Sequence, residues 1–181
     1  MTDVNLGPAV RRFRERQRLS LRALAETTGF SASFLSQVEN GLASPSIASM
    51  ERIATALGVS LAEFFTEAQA DSRNVTRANA RPMLRSQWSR ARIEALGAGV
   101  DGQRLASVLV TLEPGGSSGK KAYAASAEEF ALVQEGAVEL TLDGSEQTLG
   151  PGDAVTIQRG SLRRWHNTGE SPVRILIVTM R

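Results

Sequence analysis

Gln37 is the residue of this chain best suited to recognition chemistry, because a glutamine amide can pair through two hydrogen bonds with the edge of an adenine. It lies in SASFLSQVENG, residues 31–41, where Phe34, Leu35 and Val38 recur at helical spacing and turn inward. Ala32, Ser33, Ser36 and Gln37 are thereby left on the outer face of a helix. The hydroxyls of Ser31, Ser33 and Ser36 and the Asn40 amide can reach a base edge or a phosphate, but such groups specify little on their own. The remaining reactive inventory is thin. There is one histidine, His166, and no cysteine, which excludes disulfides, thiolate metal sites and cysteine nucleophiles.

The elements that must position Gln37 are legible around it. Residues 20–41, SLRALAETTGFSASFLSQVENG, read as two short helices and a tight turn. Leu21, Leu24 and Ala25 give one apolar stripe, Ser20 and Ser31 are good N-caps, and Gly29 falls where the chain must reverse. This is helix-turn-helix patterning, so double-stranded DNA is the predicted partner and the second helix of the pair the one that enters the major groove. Upstream, Pro8 suits the first turn of a helix over 7–18 that turns Val10, Phe13 and Leu19 inward and carries Arg11, Arg12, Arg14, Arg16 and Arg18 on its other face. Arg11, Arg12 and, at the start of the next helix, Arg22 are candidates for DNA phosphates; the plain alternative is a solvated face. Downstream, Ser46 caps a helix with Ile47, Met50, Ile53, Ala54 and Leu57 inward, Gly58 ends it, and Ser60 caps a fifth with Leu61, Phe64 and Phe65.

At 181 residues the chain is long enough for two domains that each bury a core. The net charge of +2 makes bulk charge a weak pointer to nucleic acid. Its distribution says more, since residues 71–104 set 7 Arg against 3 acidic residues. That excess is either a phosphate-facing strip or a solvated linker. No apolar run approaches the roughly 18 residues that span a bilayer, and MTDVNLGPAVRRFRER lacks the apolar core of a signal peptide, so a cytoplasmic protein without a membrane partner is predicted.

The stretch LSLRALAETTGFSASFLSQVENGLASPSIASMERIATALGVSLAEFF resembles the DNA-binding domain of phage lambda-type repressors, the XRE family, over about residues 7–67. Leu24-Ala25, Gly29, Ser36, Glu39, Gly41, Pro45, Ile53-Ala54 and Leu57-Gly58 carry the resemblance. It implies a five-helix lambda-repressor-like head. Family members often carry Gln where this chain has Leu21, a position that touches the DNA backbone.

Beyond a polar, aperiodic linker the period changes to two. Residues 105–112, 130–134, 138–142, 154–157 and 173–179 read as strands, separated by Pro114-Gly115-Gly116, Gly136, Asp143-Gly144 and Pro151-Gly152-Asp153. Many short strands with such turns imply an antiparallel barrel or jelly roll. EEFALVQEGAVELTLDG and LGPGDAVTIQRGSLRRWHNTG resemble the two motifs of the cupin barrel, over about residues 81–181. Aligned on those motifs, the positions that usually hold metal ligands (two His, a Glu, a third His) fall on Tyr123, Ala125, Glu129 and Arg163, so no metal and no other cofactor is predicted. His166 does not restore the set, because in a strand where 163 points inward, 165 and 167 share its face and 166 points out. Arg163 would instead pair with Glu129 across the barrel, either as a structural plug or as a grip for an acidic effector. Tyr123 and Trp165 would lie near the same cavity, as pocket wall or as core.

The whole reads as an α domain followed by an all-β domain. Residues 1–67 form the helix-turn-helix domain, 68–80 a linker, and 81–181 a cupin-like β-barrel for sensing or dimerisation. The predicted function is that of a sequence-specific transcriptional regulator, a repressor and not an enzyme, that binds an inverted-repeat operator as a homodimer and takes a small effector in the barrel. Two other classes remain. One is a cupin-type metal enzyme carrying a helix-turn-helix, and the other an antitoxin-like protein-interaction module.

Overall fold

Serine caps and apolar stripes produce the helices where the spacing placed them. The computed structural model describes residues 2–3, 7–61, 75–97 and 105–180. The first helices are α1 (Gly7–Arg16), α2 (Leu21–Thr28), α3 (Ala32–Glu39) and α4 (Ile47–Ala56). The amides of Ala23, Phe34 and Ser49 donate to the hydroxyls of Ser20, Ser31 and Ser46, each at 3.1 Å, and such a cap contributes about 1 kcal/mol. Gly29, with φ of 68°, takes the left-handed conformation that closes α2. Val10, Leu24, Leu35, Ile53 and Leu57 are fully buried at the centre of the bundle. Helix α1 stops at Arg16 rather than at residue 18; Arg18 has φ of 55° and turns the chain instead. The fifth helix expected after Ser60, with Phe64 and Phe65, lies outside the described residues, as does much of the expected linker.

The strands build two sheets. β1 (Thr2–Asp3), β2 (Pro82–Ser86), β3 (Ala91–Ala95), β4 (Leu105–Leu112), β5 (Tyr123–Ala124), β6 (Glu128–Glu135), β7 (Val138–Leu142), β8 (Ser145–Leu149), β9 (Ala154–Ile157), β10 (Leu162–His166) and β11 (Val173–Met180) follow in chain order. One sheet has the order β1-β2-β3-β4-β11-β6-β9 and the other β5-β10-β7-β8. Only β1 on β2 is a parallel pairing among the described residues, and it lays the N-terminal stretch on the edge of the cupin-like sheet. The expected barrel thus takes the form of two antiparallel sheets around a shared interior, with no ladder joining them among the described residues. Their outer strands are short or largely exposed, which leaves little ladder with which to close. Strands β4, β7 and β9 fall on the expected ranges, and β6 and β11 extend them.

The two domains are joined through the start of α4. A helix leaves its first amides without intrahelical acceptors, and here the β domain supplies them. Ile47 N–H donates to Ser89 Oγ at 3.2 Å and Ala48 N–H to the Ser118 carbonyl at 2.9 Å. Beside them Ser86 Oγ donates to the Pro45 carbonyl at 2.8 Å, and Gln87 N–H to Ser44 Oγ at 3.2 Å.

Candidate nucleic-acid interface and interdomain cavity

Helix α3 is held from behind and open in front. Leu35 and Val38 are buried, and Phe34 packs on Phe30 with ring centroids 5.1 Å apart. Arg14, expected on the outer face of α1, turns inward instead. Its Nε and Nη2 donate to both Glu39 oxygens at 2.6 and 3.0 Å, and Nη1 donates to the Leu19 carbonyl at 2.8 Å. A planar fork on a carboxylate fixes both position and angle, so α1 clamps the C-terminal end of α3. A charged face and a charged clamp have the same sequence pattern when the partner lies 25 positions away.

Ser33 and Gln37 are exposed on the front of α3, while Ala32 and Ser36 are half-buried there. Ser31 is occupied as the cap of α3. Asn40 is exposed, and its Nδ2 donates to the Ser36 carbonyl at 2.8 Å. Arg22 is exposed at the start of α2, Arg12 is exposed on α1, and Arg11 is exposed in an ion pair with Glu15 at 2.8 Å.

The second site lies between the domains. Strand parity on β10 places Arg163, Trp165 and then Asn167 inward, all buried, with His166 half-exposed and its Nδ1 3.6 Å from Glu139. Arg163 Nε and Nη2 donate to the two Glu129 oxygens at 2.6 and 2.7 Å. Nη2 also donates to Glu51 of α4 at 2.8 Å. Tyr123 stacks against the guanidinium, its ring centroid 4.6 Å from Cζ. Tyr123, Glu129, Arg163 and Trp165 line one cavity of about 50 Å³, walled by Val108, Val110 and Ile177 from the sheets and roofed by Ile47, Glu51 and Leu61 from the helical domain.

One buried guanidinium thus serves two carboxylates. Burial works against the Arg163 charge, but Glu51, Tyr123 and Glu129 outweigh it and hold the guanidinium well above its ordinary pKa. Burial pushes the Glu51 carboxyl up; Arg163 opposes the shift, and the like charge of Glu129 adds to it. The Tyr123 phenol is also pushed well up, chiefly by burial. Two buried donors on residues that line the cavity, Arg163 Nη1 and Trp165 Nε1, have no acceptor among the described residues. The donor set does not suit the metal that the cupin resemblance brings with it. Tyr123, Ala125 and Arg163 stand where imidazoles would be needed, both Glu129 oxygens are taken by Arg163, and no group of three His, Cys, Asp or Glu is placed for an ion among the described residues.

Glu51 carries no signal of this role in the sequence. It follows Met50 on the polar side of the α4 stripe, where a solvated glutamate is ordinary, and its partner is 112 positions away.

Comparison with known proteins places both regions. Residues 5–64 match the model of a helix-turn-helix domain and residues 108–179 that of a cupin domain. The chain is 28% identical over 178 residues to the HTH-type transcriptional regulator PuuR of Escherichia coli, covering 97% of this chain and 96% of that one. It superposes on the crystal structure of an HTH_3 family transcriptional regulator from Vibrio cholerae with a TM-score of 0.74 and 21% identity, over 98% and 95% of the two chains. A looser likeness, TM-score 0.51 and 18% identity over 97% of each chain, is to the hydroxypropylphosphonic acid epoxidase of S. wedmorenis; it is a likeness of fold. No helix among the described residues is long and apolar enough to cross a membrane.

Proposed function

We propose that the chain, whose two matched domains and curated relatives are those of helix-turn-helix transcriptional regulators with a cupin domain, acts as a repressor on an inverted-repeat operator, reading bases with α3 and responding to a small effector held in the cupin domain. DNA binding and transcriptional regulation come with the family. The finer reading rests chiefly on one observation: Gln37 stands exposed on a helix whose back is packed and whose C-terminal end is clamped by the Arg14–Glu39 fork. A clamped helix keeps a reading side chain in register with a base edge, so less ordering accompanies binding.

A single small reading surface, mostly serine, gives modest affinity. Two heads linked as a homodimer would raise it and would set half-site centres about 34–36 Å apart. No catalytic role is assigned, because the residues at the metal positions of the cupin resemblance do not make a metal site. Genome-wide capture of DNA fragments by the purified protein, repeated with Gln37→Ala, tests the reading. The expected result is an inverted repeat and a loss of about 1–3 kcal/mol at one base position in the variant. Unchanged affinity and selectivity would remove Gln37 from the role.

A further inference from the structure

We propose that Glu51 is an internal ligand of the cupin cavity, and that the effector is a small carboxylate that replaces it on Arg163 and thereby undocks α4 from the cupin domain. The proposal rests on the effector-responsive reading above and names both the ligand class and the way the signal leaves the pocket.

The observations that carry it are geometric. Glu51 is the only carboxylate that reaches Arg163 from the helical domain among the described residues, and it does so at the roof of the cavity that Arg163, Tyr123 and Trp165 line from below. Beside the cavity two buried donors, Arg163 Nη1 and Trp165 Nε1, have no acceptor among the described residues. A buried donor without an acceptor is unfavourable, and a site with surplus donors favours a ligand rich in acceptors. An entering carboxylate would leave the charge balance unchanged, because one anion leaves Arg163 as another arrives. It would offer acceptors to groups that Glu51 leaves unserved, and the Val108, Val110 and Ile177 wall suits a short aliphatic tail.

Size couples the exchange to the roof. A cavity of about 50 Å³ holds only about three to five waters at roughly 10–15 Å³ each. A carboxylate with a short alkyl chain would fill that space entirely, and one as long as butyrate, with six heavy atoms, requires the roof to lift. The roof is α4, whose first amides depend on Ser89 and Ser118 of the cupin domain. Occupancy of the pocket and docking of the DNA-binding head are therefore alternatives, and each opposes the other by the same factor. Two heads freed from their docked attitude no longer hold the spacing that a two-fold operator requires.

Butyrate serves as the probe, with n-butylamine as the cation of matched shape. Amide hydrogen exchange at Ile47 and Ala48 reports docking directly, and isothermal titration reports affinity. In the full-length protein butyrate is expected to accelerate exchange at both amides, and n-butylamine to leave it unchanged. Glu51→Ala removes the competitor and should bind butyrate at least about tenfold more tightly than the parent. Failure of butyrate to bind Glu51→Ala, equal affinity in the two proteins, or acceleration by the amine would each overturn the proposal. The assay needs no DNA, so it stands apart from the operator reading: loss of operator capture with butyrate exchange intact would sink that reading alone, and the converse would sink this one.

Discussion

Arg163 of the cupin domain and Glu51 of the DNA-binding domain meet at 2.8 Å, with the guanidinium fully buried and held at the same time by both oxygens of Glu129. The two glutamates are not equivalent. Glu129 is almost fully buried and is the bidentate partner, whereas the Glu51 side chain keeps 18% of its exposure and makes one bond. Removing the main partner of a buried charge is far costlier than trimming a second one. Glu129→Ala is therefore expected to destabilise the protein by about 3–5 kcal/mol, whereas Glu51→Gln, which keeps an acceptor for Arg163, should shift the denaturation midpoint little at neutral pH. Chemical denaturation of the two variants beside the parent decides the ranking.

The same crowding sets a pH dependence. Burial raises the Glu51 carboxyl above its ordinary value of 4.5 in the docked state, with Glu129 on β6 adding to the shift and Arg163 on β10 opposing it; Tyr123 on β5 also faces the group and stays neutral. Docking thus takes up a proton. The stabilisation linked to that proton is fully present below the undocked pKa and is lost as pH rises through the raised docked value. Amide exchange at Ile47 and Ala48, corrected for intrinsic rates, should accelerate as pH climbs from about 4.5 toward neutrality. Glu51→Gln, which imitates the protonated carboxyl, should flatten the profile. A parent and variant with parallel profiles would remove Glu51 as the titrating group.

Much of this arrangement is legible in the order of residues alone, for a physical reason that also marks the limit. Caps and turns are local chemistry, so Ser20, Ser31, Ser46, Gly29 and Asp143-Gly144 announce their roles within three or four residues. Strand parity is local too, and it sends Arg163 and Trp165 inward and His166 outward. The cupin pattern then brings Glu129 to Arg163. What escapes depends on partners distant along the chain. Arg14 has the sequence neighbourhood of a solvated arginine, and only Glu39, 25 positions on, makes it a clamp. Strands β2 and β3 are short and carry charges at Arg85, Arg92 and Glu94, so their alternation is too weak to register. Docking of α4 on Ser89 and Ser118 has no sequence signature, because serine is unremarkable in any loop.

The Arg14–Glu39 fork predicts a variant that harms recognition without touching DNA. Arg14→Ala leaves the Glu39 carboxylate, whose side chain is only 6% exposed, without its cationic partner. The head should lose about 3 kcal/mol of stability, as for other buried pairs broken on one side. Thermal unfolding checks that loss. Operator affinity measured well below the new midpoint should also fall, since α3 is no longer fixed at its C-terminal end. Full stability with normal affinity would show the fork to be ornamental.

Arg22 and Gln37 should separate cleanly in their effects on DNA binding, because one faces outward as a point of charge at the start of α2 and the other as an amide on the front of α3. A phosphate contact contributes equally on any sequence and releases a counterion. Arg22→Ala is accordingly expected to weaken specific and non-specific binding alike and to reduce the slope of log K against log salt by about 1. Gln37→Ala should leave that slope unchanged and relax selectivity at a single base position. Filter binding across a salt series, on the captured operator and on a scrambled duplex, distinguishes the two patterns. If Arg22→Ala altered selectivity while leaving the slope intact, the assignment of α2 to the backbone and α3 to the bases would have to be exchanged.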